Sequence, residues 1–225
     1  RKWYRQYLTS ILERDIREVA QVKAAEDVGR LLELYANRSG TLINYSSVGK
    51  ELGLDRETIG RYLAVLEKLF LIRRLPSWHQ NKAKRLIKTP KLHLQDSGLA
   101  TALSDFHLES WPDQREAFGH LVESFVIQQF MTLAAWTDPD LKFYHYRDRD
   151  QVEVDCIITR GRNVWGAEVK ASATLKKSDG KGLVRLSQQA GKDFQGGIIL
   201  YEGSRVLPLG TPNLLGVPLS SLWML

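Results

Sequence analysis

The chain has 225 residues, an apolar fraction of 43% and a net charge of +6 at pH 7, which is typical of a soluble protein of one large or two small domains. Cys156 is the only cysteine, so an internal disulfide and a cysteine-rich zinc site are excluded. No apolar run reaches the roughly 18 residues of a membrane helix, and no secretory signal pattern opens the chain. We therefore expect a cytoplasmic protein without a membrane partner. Because the first residue is not Met, we also expect a piece of a longer polypeptide.

Residues 1–36 are predicted to be helical. Apolar side chains recur there at intervals of three and four residues, which favours two amphipathic helices. The stretch 37–40, Asn-Arg-Ser-Gly, is a stop signal.

Residues 37–112 are predicted to form a winged helix-turn-helix domain. A short helix, a glycine-containing turn and a longer helix are followed by two strand-like runs at 71–78 and 88–96. The local signals are a cap at Ser46 or Ser47, a left-handed residue at Gly53 and a second cap at Asp55.

The excess positive charge lies entirely in the N-terminal half of the chain. Residues 1–110 contain 19 Lys and Arg against 13 Asp and Glu, whereas residues 111–225 contain 13 of each. Seven basic residues and no acid lie between Arg73 and Lys91, interleaved with Trp78 and His79. Such a run is typical of a solvated loop or of a surface that meets a phosphate backbone. The candidate DNA contacts are Arg56, Thr58, Arg61, Arg73, Arg74, Lys82, Lys84, Arg85 and Lys88.

Residues 113–225 are predicted to form a second domain of the α/β (α+β) class, with helices and a central sheet. A polar connection precedes it, and no internal repeat is present. The predicted elements are a long helix over 115–136, strands over 142–147, 152–159 and 163–170, a helix near 180–192, and strands over 196–203 and 204–210.

Three charged residues interrupt the apolar strands of this domain. Glu168 and Lys170 are two residues apart and therefore share a strand face. If the hairpin is centred on Gly161 and Arg162, paired residue numbers sum to about 323, and Asp155 lies opposite Glu168.

Two facing carboxylates repel each other unless a cation or a proton lies between them. Mg²⁺ or Mn²⁺ takes oxygen ligands of this kind, and Lys170 could hold a water or stabilise charge beside the metal. Glu123, flanked by apolar residues on the long helix, is a third carboxylate. The alternative is structural: an Asp155–Lys170 ion pair, with Glu123 in a polar contact near the helix. Lys176, Lys177 and Lys181 form a small basic loop close enough to the site to meet a nucleic-acid backbone.

The stretches "FGHLVESFV", "EVD" and "AEVK" resemble the E…D…(D/E)-x-K core of the PD-(D/E)XK nuclease-like superfamily. The whole chain resembles the C-terminal region of prokaryotic AAA-type ATPases that carry a winged helix and such a tail. The resemblance implies a restriction-endonuclease-like mixed sheet flanked by helices, a metal on Asp155 and Glu168, a catalytic Lys170 and an outer ligand Glu123. Val154 stands where the superfamily's proline would be.

The predicted function is a DNA-binding, metal-dependent nuclease module attached to an ATPase. No G-x-x-x-x-G-K-[S/T] loop exists in the chain, so ATP is not expected to bind here. The alternatives are a non-catalytic winged-helix module that binds DNA or oligomerises to regulate the ATPase, and an interaction scaffold with a structural carboxylate cluster. Expected partners are DNA, the preceding AAA ATPase domain and, in the oligomeric alternative, further copies of the same chain.

Overall fold

The computed structural model describes residues 2–11, 14, 16, 25–79, 89–104, 106, 109, 112–211 and 213–224. The chain divides into two compact units. The first unit contains Arg1–Arg74 and Lys91–Phe125, and the second contains Leu75–Pro90 and Val126–Leu225. The predicted boundary between 112 and 113 stays a prediction, since the units interleave along the chain.

The first unit is mainly helical with a small sheet. The elements up to the long helix are α1 (Lys2–Ser10), α2 (Ala25–Ala36), β1 (Thr41–Leu42), α3 (Tyr45–Leu52), α4 (Arg56–Lys68), β2 (Ile72–Leu75), β3 (Lys91–Leu94) and α5 (Ser97–Leu103). The sheet has the order β1-β3-β2. Its core is built from fully buried aliphatic side chains of α2, α4 and the sheet, among them Leu31, Leu32, Leu63, Leu66 and Leu92.

Local capping chemistry fixes the ends of α3 and the start of α4 in this unit. Asn44, and not Ser46 or Ser47 as predicted, caps α3, because its side chain accepts the Ser47 backbone N–H. Gly53 closes α3 in the left-handed conformation with φ 69°, as predicted. Asp55 caps α4 by accepting the Thr58 N–H at 2.8 Å, which confirms the second predicted cap.

The second unit is built on a six-stranded mixed sheet, which confirms the mixed α and β fold class. Its elements are the C-terminal part of α6 (Arg115–Thr137), then β4 (Lys142–Arg147), β5 (Glu153–Arg160), β6 (Asn163–Lys170), α7 (Lys181–Ala190), β7 (Phe194–Tyr201), β8 (Leu207–Pro208) and β9 (Leu214–Pro218). The strand order is β4-β5-β6-β7-β9-β8. The pairs β6–β7 and β7–β9 are parallel, and the other pairs are antiparallel.

Helices cover both faces of this sheet. On one face, Ile127 of α6 packs against Cys156 and Ala167. On the other face, Leu183 and Leu186 of α7 pack in one cluster with Ile157 and Ile199. Cys156 and Ile157 are successive residues of β5, and successive side chains of a strand point to opposite faces.

The segment after β2 differs from the prediction of one strand over 71–78. The strand ends at Leu75, and the Trp78 backbone N–H donates to the His145 carbonyl at 2.7 Å within the second unit. Trp78 is 3% exposed and contacts Tyr146, with ring centroids 6.4 Å apart. Trp78 is therefore a core residue of the second unit and is not available to stack on nucleic-acid bases.

No helix among the described residues is both long enough and apolar enough to cross a membrane.

Candidate functional site

The hairpin that carries the candidate catalytic residues has the predicted register. The paired residues run from Cys156↔Ala167 to Arg160↔Asn163, so their numbers sum to 323. Gly161 at the turn has φ 58°, a left-handed conformation that glycine adopts at little cost. The tight turn therefore brings the start of β5 beside the end of β6.

A β-bulge at the start of β5 sets the direction of Asp155. Between the pairs Tyr144↔Ile157 and Tyr146↔Val154, β5 has one residue more than β4. Asp155 Oδ2 accepts a hydrogen bond from the Val169 backbone N–H at 2.9 Å, and Asp155 is 8% exposed. Bulges commonly re-aim a side chain beside a site. The prediction that Asp155 lies directly opposite Glu168 assumes that side chains alternate regularly along β5. The bulge interrupts this alternation at Asp155.

Glu168 and Lys170 form an ion pair at the end of β6. Lys170 Nζ lies 3.6 Å from Glu168 Oε2, and the side-chain exposure is 36% for Lys170 against 5% for Glu168. The lysine head therefore reaches solvent while the carboxylate stays inside. A buried carboxylate requires a compensating charge or hydrogen bonds, and Lys170 supplies one such charge.

The charges around Lys170 determine its protonation. Burial, the largest single influence, lowers the pKa of Lys170, but the negative charges of Glu168, Asp155 and Asp179 together outweigh it, so the pKa is raised above its ordinary value. Lys170 is therefore a cation at neutral pH. Asp155 accepts the backbone N–H of Val169, the residue between Glu168 and Lys170, so the three charged side chains act on one another at the end of β6.

Asp179 belongs to the same cluster and was missed by the sequence analysis. It lies in a short 3-10 helix, Lys177–Gly180, where its Oδ2 accepts the Lys176 backbone N–H at 2.7 Å. An acid at the start of a short helix usually indicates only a cap. Its influence on Lys170 follows from the tertiary fold.

The first turn of α7 closes over the same sheet face. A Cβ at Gly182 would collide with the Glu153 carbonyl oxygen and with Glu168 Oε1. Glycine is therefore required for the helix to approach β5 and β6 this closely.

Glu123, the predicted outer ligand, is engaged in the first unit. Its Oε1 lies 2.8 Å from Lys91 Nζ, with side-chain exposures of 8% and 4%. His120 Nδ1 lies 3.5 Å from the other carboxylate oxygen. Hydrogen bonding to Glu123 raises the pKa of His120, and burial opposes this shift. Lys91 is the partner that sequence reasoning missed, since 32 residues separate the two.

A second buried polar cluster accompanies this pair. Ser124 Oγ lies 2.9 Å from Ser39 Oγ and 2.9 Å from His93 Nδ1. Ser39 Oγ in turn accepts the Leu94 backbone N–H at 3.0 Å. The cluster ties α6 to β3 inside the first unit, and we assign it a structural role.

The donor chemistry of the second unit fits a hydrated divalent ion. Asp155 and Glu168 offer carboxylate oxygens from neighbouring strands, and Mg²⁺ usually binds through one or two carboxylates while keeping several waters. No group of three or more His, Cys, Asp or Glu side chains suited to a metal ion occurs in the described part of the chain.

The predicted DNA contacts differ in how accessible their side chains are. Arg56 and Arg61 are exposed on α4, where their guanidinium groups lie 5.2 Å from the Tyr45 ring and 5.7 Å from the Tyr62 ring. Thr58 Oγ1 donates to Asp55 at 2.8 Å and thus reinforces the helix cap.

The remaining candidates are less available or lie outside the described residues. Arg73 Nη2 donates to Gln95 at 2.9 Å, and Arg74 Nε lies 3.4 Å from Glu67. Burial lowers the pKa of Arg73. Lys82, Lys84, Arg85 and Lys88 lie outside the described residues.

Comparisons with known proteins follow the division of the sequence into two halves. Residues 1–110 match a family described as a domain of unknown function, DUF8612, and residues 118–222 match another, DUF4143. The chain is 27% identical over 211 residues to uncharacterized protein Mb2031c of Mycobacterium bovis and to uncharacterized protein Rv2008c of Mycobacterium tuberculosis. These matches cover 92% of the chain but only 45% of each relative. No solved structure matches the chain. The chain is thus similar to two domain families and to part of longer mycobacterial proteins.

Proposed function

We propose that the second unit is a metal-dependent nuclease module that hydrolyses DNA phosphodiesters. The observation that carries this proposal is the cluster of Asp155, Glu168 and Lys170, with both carboxylates less than a tenth exposed and the lysine in reach of solvent. Buried carboxylates beside a cation are costly to maintain and recur where charge is needed for chemistry.

Asp155 and Glu168 would hold Mg²⁺ or Mn²⁺ between β5 and β6. When bound, the ion would polarise a phosphoryl oxygen and lower the pKa of an attacking water. In the hydrolysis an oxygen–phosphorus bond forms to that water, the bond to the leaving oxygen breaks, and the water's proton passes to solvent or to the leaving group.

Lys170 would act as a cation rather than as a general base. Its raised pKa keeps the ammonium group protonated at neutral pH. A fixed positive charge stabilises the charge that develops on phosphate oxygens, and the ammonium can also orient a water. The ion pair with Glu168 would open towards the phosphate when DNA and metal bind.

We further propose that the first unit is a winged helix that supplies DNA affinity. The support is the element order α2, β1, α3, α4, β2, β3 with the sheet order β1-β3-β2, and the exposed Arg56 and Arg61 on α4. In the whole polypeptide, an AAA-type ATPase domain would regulate this module.

Nicking of supercoiled and branched DNA with Mg²⁺ or Mn²⁺ tests the nuclease proposal. We expect cleavage by the wild type and a loss of at least about 100-fold in Asp155→Ala and in Lys170→Ala. Lys192→Ala, at an exposed lysine of the same unit, is the matched control and should cleave normally. Thermal unfolding of each variant checks that the fold is intact. Absent cleavage, or cleavage that survives both substitutions, would overturn the proposal.

The second candidate function is a non-catalytic DNA-binding or oligomerising module. The observation that favours it is that Lys170 and Glu168 already satisfy each other as an ion pair. This reading predicts DNA binding that weakens steeply with salt, depends on Arg56 and Arg61, and occurs without cleavage at any metal concentration.

A further inference from the structure

A groove of about 1040 Å³ lies beside the candidate site in the second unit. Its lining combines aliphatic and cationic side chains. The apolar lining consists of Leu175, Val184, Leu207, Leu209 and Leu214, and the charged lining consists of Lys176, Lys177, Lys181 and Arg185. Among the described residues no Asp or Glu lines the groove, so its charge is complementary to an anionic ligand.

Three of the four cations are available to a ligand. Arg185 is held by Asp148 at 3.2 Å and by Asp150 at 2.8 Å. Lys176, Lys177 and Lys181 are exposed, and none of them forms an ion pair with another described residue.

The groove and the candidate site share the same structural elements. Asp179, whose charge acts on Lys170, accepts the backbone N–H of Lys176 in the groove lining. Gly182 approaches Glu168 closely, while its neighbours Lys181 and Val184 line the groove. The same turn of α7 therefore contacts Glu168 through Gly182 and lines the groove through other sides of the helix.

We propose that this groove binds unpaired nucleotides of a DNA strand next to the scissile phosphate. An unpaired nucleotide combines an anionic phosphate with a base whose apolar face is open, and this combination matches a lining of exposed lysines and aliphatic side chains. Paired bases in a duplex are stacked and offer no such face. The inference rests on the proposed nuclease function and specifies its substrate as a strand with an unpaired end, flap or branch.

An acidic peptide with leucine anchors is the competing occupant of such a groove. The candidate site favours the nucleotide, because a single polyanionic chain can contact Lys170 and the groove lysines together. We therefore propose the nucleotide as the ligand, and the binding experiment also tests the peptide.

Anisotropy of a fluorescein-labelled oligothymidylate of about twelve nucleotides, measured in EDTA so that cleavage is suppressed, tests the inference. We expect the single strand to bind more tightly than a duplex of equal length. The double variant Lys176→Glu/Lys177→Glu should bind at least about tenfold more weakly, and its log–log salt dependence should fall by about 1.4. Val184→Asp should weaken binding about tenfold, because it replaces an apolar contact with a negative charge inside the groove.

The matched control is Lys142→Glu/Lys192→Glu, which changes the net charge equally at two exposed lysines outside the groove lining. It should bind like the wild type, and thermal unfolding confirms that each variant is folded. Equal loss in the control, no effect of Val184→Asp, or equal duplex affinity would overturn the inference. Binding of a glutamate- and leucine-containing peptide in place of the strand would overturn it in favour of a protein ligand.

This binding assay separates the two proposals. Strand binding that depends on the groove, without any cleavage in Mg²⁺ or Mn²⁺, contradicts the nuclease proposal and leaves a single-strand binding site. Cleavage that survives the groove substitutions supports the nuclease and rejects the groove as its substrate site.

Discussion

Each unit of the protein contains a Lys–Glu pair, and the two pairs differ in solvent access. In the first unit, Lys91 and Glu123 lie 2.8 Å apart with side chains 4% and 8% exposed. In the second unit, Lys170 and Glu168 lie 3.6 Å apart, and the lysine side chain is 36% exposed. The first pair is closed to solvent on both sides, whereas the second presents its lysine to water and to ligands.

The difference separates a structural pair from a pair suited to chemistry. A closed pair can only hold its elements together, because no ligand reaches either charge. An open pair with two further acids nearby, Asp155 and Asp179, can exchange its partner for a metal ion or a phosphate. Both glutamates are buried, so the solvent access of the lysine partner, and not residue type, distinguishes the two pairs.

The same substitution in both pairs should have unequal effects, and this is the largest expected difference. Lys91→Met leaves Glu123 buried without its cation, which costs about 3–5 kcal/mol of unfolding free energy. Lys170→Met also removes the cation beside a buried carboxylate, but this cation is partly exposed, so water can reach Glu168 in its place and the cost should be smaller, about 1 kcal/mol. Urea denaturation at neutral pH measures both values. The double variant Lys91→Met/Glu123→Leu should recover most of the loss, because replacing a buried pair by apolar residues is often neutral. Similar losses in the two single variants would contradict the distinction.

The second, smaller effect is on the free energy of unfolding, and it tests how closely α7 approaches the Lys170–Glu168 pair. Gly182→Ala places a methyl group against the Glu153 carbonyl and Glu168 Oε1, and overpacking of this kind costs about 1–3 kcal/mol. Gly60→Ala in α4 is the matched control, since a Cβ there meets nothing within 4 Å; it should stabilise the protein by up to about 1 kcal/mol through helix propensity. Thermal or urea unfolding measures the stability of both variants. Equal stabilisation by both substitutions would show that α7 can shift to accommodate the added methyl group.

Local chemistry explains why parts of this fold could be predicted from the sequence. The Gly53 closure, the Asp55 cap and the 323 register of the β5–β6 hairpin depend on a few neighbouring residues. The cap of α3 is also determined locally, but Asn44 and the two nearby serines have similar capping preferences, so the sequence did not distinguish between them.

Long-range packing explains what the sequence could not predict. The pairing of Lys91 with Glu123 and the burial of Trp78 each depend on contacts with distant residues of the same unit. The bulge beside Asp155 is set by the partner strand β4, so the pattern of β5 alone contains no signal for it. The strand β9, Leu214–Pro218, was missed because a five-residue apolar run bounded by turns is ambiguous.

The smallest expected effect concerns the pH dependence of the closed pair. His120 lies beside Glu123, with Lys91 and Glu116 also acting on it, and its pKa is raised. A raised folded-state pKa means that His120 contributes stability below its unfolded pKa of about 6.5, and that this contribution is lost as the pH rises through the folded value. Unfolding free energies at pH 5.5 and 8.5 should therefore fall more with pH in the wild type than in His120→Gln, where the titrating group is absent. An identical pH difference in both proteins would mean that the histidine does not sense Glu123. His120 would then add no pH dependence to the contribution of the closed pair near neutrality.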